Sequence, residues 1–349
     1  MKNKMIWIFV CLILCACNSQ TIEENNADDV DRLQAILFDS VVSNDGIYNF
    51  LTDGYNGHFE FYDFDTEQNV PLCAKPNCEH EDMNCDAYSL SVYKDEFICY
   101  SAPTVYKNQL YVNYTLPTLD AGYICSMDLD GSNRKEVFAY KDECLVSGLM
   151  VDDKLYGVFG QFAKNEQGNN MNLNNKYKSY CYDLDNGDRK EISLENDQNM
   201  NFVQKGDHGI YVIRFNDLNH DLLLYNDEEY EMIEEGTFTN AMTVYNEKVY
   251  RINSENGTFE SRDIKSTEWE PLISIGCEKE ISFARINSYG IFLATYEFPK
   301  TIAIDVAKNV LISQEMNVIC ENDGSYYEYG SNQTIQKRSG LSGSSLKGG

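Results

Sequence analysis

Four side chains with metal-binding chemistry fall within thirteen residues of one another: Cys73, Cys78, His80 and Cys85. They lie in the segment Pro71-Leu72-Cys73-Ala74-Lys75-Pro76-Asn77-Cys78-Glu79-His80-Glu81-Asp82-Met83-Asn84-Cys85-Asp86-Ala87-Tyr88. Thiolates and imidazole suit tetrahedral zinc, and short loops stiffened by Pro76 would hold such ligands together. The spacing departs from the zinc-knuckle order, in which the first two cysteines are closer and the histidine further away. The tight Cys78-x-His80 pair demands an irregular backbone. A disulfide, Cys73–Cys85 or Cys78–Cys85, is the competing reading, and free thiols are the third. Metal or disulfide, the staple is expected to be structural, ordering a loop that has little core of its own.

Other chemistry is sparse. His80-Glu81-Asp82-Met83-Asn84 begins like a metalloprotease HExxH but has Asn84 where the second histidine must stand. The chain has no Gly-x-Ser-x-Gly elbow and no phosphate-cradling glycine pattern. Lys265-Ser266-Thr267-Glu268-Trp269 only faintly resembles a sialidase Asp-box, because it lacks the aspartate and the glycine. Asp128-Leu129-Asp130-Gly131-Ser132-Asn133 starts like a calcium loop, yet Ala139 occupies the place of the bidentate glutamate, so it reads as a turn. His58, His208 and His220 are isolated and read as surface or turn residues. The pairs Glu228-Glu229 and Glu234-Glu235 read as solvated turn faces. No catalytic or cofactor-binding set is assigned from these residues.

The elements that position this chemistry begin with a secretory signal. Lys2 and Lys4 head an apolar run from Met5 to Leu14, which is too short to span a bilayer comfortably. Leu14-Cys15-Ala16-Cys17 follows and resembles the bacterial lipobox. That resemblance implies removal of residues 1–16 and acylation of Cys17. Residues 17–31 are polar and acidic and read as a flexible tether. Residues 339–349 are Gly/Ser-rich and are expected to be disordered. Losing residues 1–16 deletes two lysines and no acid, moving the formal charge from −28 to −30. A surface so acidic repels phosphate backbones and anionic headgroups, which excludes nucleic acid and a polybasic membrane patch.

Between tether and tail (residues 32–338) one pattern recurs: a turn residue, an aliphatic residue, then an aromatic. It stands at Gly46-Ile47-Tyr48, Gln109-Leu110-Tyr111, Lys154-Leu155-Tyr156, Gly209-Ile210-Tyr211, Lys248-Val249-Tyr250, Gly290-Ile291-Phe292 and, in weaker form, Ser325-Tyr326-Tyr327. Most markers are followed by an aspartate-centred turn, as at Asp63, Asp128, Asp183, Asn226-Asp227, Asp263 and Asp305, where Asp, Asn and Gly supply hairpin chemistry. The markers lie 35 to 63 residues apart, the range of a four-stranded propeller blade. The expected fold is therefore an all-β propeller of seven four-stranded antiparallel blades, with a six-bladed ring and a two-sheet sandwich as competitors. The poorly formed last blade is expected to be completed by the N-terminal strand near Leu37–Val42, or else to be a closing strand on six blades. Cys99, Cys125, Cys144, Cys181, Cys277 and Cys320 sit singly in aliphatic or aromatic strands and read as core.

The Cys-rich segment matches every fixed position of Pro-Leu-Cys-x4-Cys-x-His-x4-Cys-x-Ala-Tyr and so resembles a recurrent element of a family of propeller-like bacterial lipoproteins. That resemblance implies a fold and a location but no reaction. The expected protein is a monomeric, lipid-anchored propeller on the extracytoplasmic face of the cell membrane. It binds or scaffolds an extracellular glycan or protein without catalysis. A propeller hydrolase or lyase is the alternative, and a metal-handling lipoprotein a weaker one.

Overall fold

The computed structural model describes residues 35–37, 41–52, 57–80, 85–88, 99–100, 103–116, 121–164, 170–192, 200–215, 219–226, 229–276, 280–287, 289–297, 300–313, 318–322, 325–329 and 335–338. The signal, Cys17, the 17–31 tether, the 339–349 tail and Cys277 lie outside them. Turn chemistry sets the architecture. Each aromatic marker opens the second strand of a blade, starting with Gly46–Thr52 and Gln109–Leu116 and ending with Ile291–Glu297 and Ser325–Tyr329. The hairpins leading into these strands use paired left-handed residues, Lys107-Asn108, Asp152-Asp153 and Asn246-Glu247, the signature of a type I′ turn. At Gly209 a Cβ would lie 2.3 Å from the Tyr225 carbonyl oxygen, so glycine is required there.

The aspartate turns all fall between the third and fourth strands. Asp63, Asp128, Asp183, Asp263 and Asp305 each end a third strand, and Asn226 directly follows one. Asp183 Oδ1 accepts from the backbone N–H groups of Asp185 (2.9 Å) and Asn186 (3.1 Å), and Asp63 Oδ1 repeats the arrangement with Asp65 and Thr66. Asp183→Ala is expected to cost about 1 kcal/mol in urea unfolding, because two amides lose a charged acceptor but regain water. A loss under a third of that would mean the turn is held by its glycine alone.

Seven antiparallel sheets result, one for each marker. The first four-stranded blade runs Val41–Val42, Gly46–Thr52, Gly57–Asp63, Gln68–Pro71. No two of these sheets form a face-to-face pair with a single core. Instead, each buried cluster joins one blade to the next. Tyr48 and Phe59 of the first blade pack with Leu110, Val112 and Tyr114 of the second, and Phe138 and Tyr140 of the second with Phe159 and Tyr182 of the third. Similar clusters join the third to the fourth, the fourth to the fifth, the fifth to the sixth and the sixth to the seventh. A last cluster, with Val42, Ile47, Tyr62, Ile319, Cys320 and Tyr327, joins the seventh to the first, and the ring is closed. The first strands of the third to sixth blades neighbour one another in turn, and so do those of the first and second, as strands lining an axis do. Of the single cysteines, Cys125, Cys144 and Cys320 are buried as expected, and Cys181 packs half-buried against the core.

Closure differs from expectation. Ala35–Leu37 does not complete the last blade, and Val41–Val42 opens the first one. Ala35, Ile36 and Leu37 pair instead with Met150, Leu149 and Gly148 on the free inner edge of Cys144–Val151, in the third blade. The seventh sheet has three strands among the described residues, Val318–Asn322, Ser325–Tyr329 and Ile335–Arg338. Side-chain burial between the seventh and first blades makes a shared strand unnecessary. The added strand satisfies backbone groups on the inner edge of the third blade, an edge that the first strands of the first and the fourth to seventh sheets leave without a further strand among the described residues.

Candidate metal centre and axial cavity

The Cys-rich segment is carried by the connection that leaves the first blade at Pro71. Its two ends are tied to one strand. Leu72 N–H donates to the Phe59 carbonyl (2.9 Å), and Phe59 N–H donates to the Ala87 carbonyl (3.0 Å). Leu72, Cys85 and Ala87 are buried, and Leu72 reaches the core shared by the first two blades. The Tyr88 ring stacks on His58 (4.8 Å between centroids), whose Nε2 meets Glu60 (2.9 Å). His58 thus serves packing.

Between these anchors the chain folds back through left-handed residues at Asn77 (φ 58°) and His80 (φ 56°), the irregular backbone that Cys78-x-His80 requires. The ligand atoms of Cys73, Cys78, His80 and Cys85 all lie within 4.8 Å of one another, and His80 Nδ1 is 3.3 Å from Cys85 Sγ. A tetrahedral zinc with Zn–S near 2.3 Å separates its ligands by about 3.7 Å, so a small contraction completes the set. The three cysteines are unbridged. The cluster could hold a metal ion, with four protein ligands and no open position.

The surroundings favour the thiolate at Cys73 and disfavour it at Cys85. Cys85 Sγ accepts from Ala87 N–H (3.3 Å). Burial alone would raise the Cys73 thiol, but hydrogen bonds from the Lys75 and Asp86 backbone and from the neighbouring thiols bring it below its ordinary value. Burial pushes Cys85 up to about 11, so in this pocket the metal itself would supply the drive for its deprotonation. Lys75 bonds Asp86 (2.8 Å) and is held protonated first by that bond and then by Cys73 and Cys78. Arg134 of the second blade lies 3.9 Å from the same carboxylate.

A second concavity lies at the axis, a cavity of about 200 Å³ reached by the inner strands of four blades. Ser147 enters from the third blade, Phe202 and His220 from the fourth, Met242 and Thr243 from the fifth, and Phe283 and Ala284 from the sixth. Among the described residues its lining includes no carboxylate. Asp221, next to His220, is buried and spent on Arg214 (2.5 and 2.7 Å) and on the Gly236 N–H (2.7 Å). His220 corrects the sequence reading. It is only 4% exposed, its ring meets Phe215 edge-on (4.8 Å), and its Nε2 bonds Asn240 Oδ1 (2.8 Å). Strand spacing could not reveal this, because its neighbours come from other turns and another blade. His208 is exposed, as expected. A shallower depression beside the fourth and fifth blades holds Trp269 under Arg251 (3.8 Å), while Arg262 is ion-paired to Glu234. Glu234 is therefore less solvated than its sequence suggested.

Neither a protein-family profile nor a curated sequence matches the chain. Solved structures match its fold. A structure from a study of two prolyl endopeptidases aligns over 96% of this chain and 53% of its own, at 9% identity and TM-score 0.54. A puromycin-hydrolysing peptidase of Mycobacterium tuberculosis aligns over 88% and 52%, at 10% identity and TM-score 0.51. A post-proline cleaving enzyme from Rickettsia typhi aligns over 87% and 53%, at 12% identity and TM-score 0.50. The chain spans about half the length of each, and at such identity the likeness concerns fold alone.

Proposed function

We propose that this chain is a non-catalytic binding propeller, held at the extracytoplasmic face of the cell membrane by a lipid on Cys17, with a structural zinc at Cys73, Cys78, His80 and Cys85. The observation that carries the binding reading is the axial cavity. Hydrolysis of a glycan or peptide needs convergent acids, bases or a nucleophile–base pair. Among the described residues the lining offers one histidine, no carboxylate and mostly apolar walls, and Asp221, the buried acid next to His220 in the chain, is consumed by an arginine. Such a surface recognises without reacting. A closed Cys₃His ligand set likewise favours a structural metal over a catalytic one, since catalytic zinc keeps a position open.

The tether is compatible with access. Ala35 pairs beside Met150, towards the end of the inner strand Cys144–Val151, whereas the cavity uses Val146 and Ser147 towards its beginning. A chain arriving from Cys17 thus joins the ring at the end of the inner strand away from the cavity. The partner is an extracellular glycan or protein loop of the kind that aromatic walls hold.

Two measurements test the reading. Cys17→Ser should abolish acyl labelling and move the protein from the membrane fraction to the soluble one. Unchanged labelling would reject the anchor. Purified protein should turn over none of a panel of fluorogenic peptides and oligosaccharides, and turnover that His220→Ala removes would establish the enzyme alternative instead.

A further inference from the structure

Cys73 Sγ is bonded by two backbone amides, those of Lys75 and Asp86. They reach it from opposite ends of the insertion, Lys75 from just after Cys73 itself and Asp86 from beside Cys85. The side chains of the same two residues meet as an ion pair, Lys75 Nζ to Asp86 Oδ1 at 2.8 Å. Arg134 of the second blade stands 3.9 Å from that oxygen, and its own Nε donates to the Gly131 carbonyl (2.8 Å). The Asp86 carboxylate is thus held between a cation of the insertion and one fixed in the neighbouring blade.

As a device for stability alone such a pair is worth little, because the Lys75 side chain is 46% exposed and water competes for it. Lys107–Asp153 and Lys205–Asp152 are exposed pairs of the same kind. What separates Lys75–Asp86 from them is the double role of each partner, since the backbone on either side of the ion pair carries an amide bonded to one sulfur. Closing the pair sets the distance between the two ends of the insertion, and with it both hydrogen bonds. Three thiolates around a divalent ion leave one net negative charge, which amide donors and a nearby ammonium stabilise. Lys75 is close enough for Cys73 and Cys78 to favour its protonated form. We infer that Lys75 and Asp86 form the outer-sphere clamp of the metal centre, positioning residues whose ion pair holds the two amides on Cys73 Sγ and so retains the ion. The inference deepens the zinc reading above and rests on it.

Release of zinc from the full loaded chain to excess EDTA, followed at fixed pH, tests the clamp. Asp86→Asn keeps the shape of the side chain and the backbone amide but removes the charge. It should release zinc about tenfold faster, as loss of an outer-sphere partner does. Lys75→Met should match it, and the double variant should be no faster than either, because the two residues act as one unit. Lys75→Arg, which restores the pair, should return the rate to near that of the parent. With cobalt(II) in place of zinc, the sulfur-to-metal absorption band of Asp86→Asn should move to lower energy, because a thiolate relieved of amide donors gives up an electron more readily. That band does not respond to the stability of the ring alone. Lys75→Met, at an exposed position, carries the test should Asp86→Asn fold poorly. Parental release rates in the single variants, additive effects in the double one, or an unmoved cobalt band would overturn the clamp while leaving the zinc reading intact. A parent chain that takes up neither zinc nor cobalt would overturn the zinc reading itself, and the clamp with it.

Discussion

Purified protein is expected to contain about one equivalent of zinc, and His80→Ala to contain less than about a tenth of an equivalent after the same dialysis. Four converging ligands give a closed tetrahedral site, and removing the imidazole leaves three thiolates in a pocket whose fourth face is then open to water and chelators. Loss of one ligand should lower affinity by more than about a hundredfold, exceeding what removal of an outer-sphere partner does. A disulfide clip gives the opposite pattern: no metal, one cross-link by mass spectrometry without reduction, and an indifferent His80. Chelation should act locally. The amides tied to the insertion, Leu72 and Phe59, should exchange faster, because the strand they bond is anchored through Cys85 and Ala87. The distant blades have their own inter-blade cores and should keep their protection. Global unfolding on chelation would make the clip essential to the ring.

Much of this arrangement was legible from local rules. Marker triplets predicted second strands because a left-handed turn followed by a buried aliphatic–aromatic pair leaves a local trace, as at Asn246-Glu247 before Val249 and Tyr250 of Lys248–Asn253. Asp183 and its equivalents predicted third-to-fourth strand turns for the same reason. The ligand set of the insertion was legible because its spacing is short, although the choice between metal and disulfide was not, since both need converging sulfurs. What failed was non-local. The pairing of Ala35 with Met150 joins residues more than a hundred positions apart through backbone groups that have no side-chain signature. The cavity gathers one or a few residues from each of four blades, and no spacing within a blade marks them. His220 looked superficial because histidine is usually so; its burial follows from Phe215 and Asn240, which the hairpin and the next blade bring to it.

Because the ring closes through side chains, its last seam should be its weakest. Tyr327 is 2% exposed and meets Tyr62 (5.7 Å) and Phe64 (4.6 Å) of the first blade. Tyr327→Ala should cost about 3–5 kcal/mol, the range for deleting a buried aromatic ring. Phe259→Ala, in the seam between the fifth and sixth blades, should cost about as much, since Phe259 is fully buried against Tyr250 and Phe292. The two should nevertheless differ in native-state hydrogen exchange. Blades five and six are joined covalently, so weakening their contact lowers the global stability that protects every blade. Blades seven and one are held by the Tyr327 cluster and by an exposed Lys337–Glu67 pair worth little, while the Tyr289 hydroxyl, from a turn of the sixth blade, donates to the Val42 carbonyl (2.5 Å). Emptying that cluster gives the ring a place to open without unfolding its middle. Tyr327→Ala should therefore accelerate exchange in Gly46–Thr52 and Ser325–Tyr329 well beyond that in Lys154–Lys164 and Gly209–Arg214. Uniform acceleration across all four strands would mean that the seam is no weaker than its neighbours and that the propeller opens only as a whole.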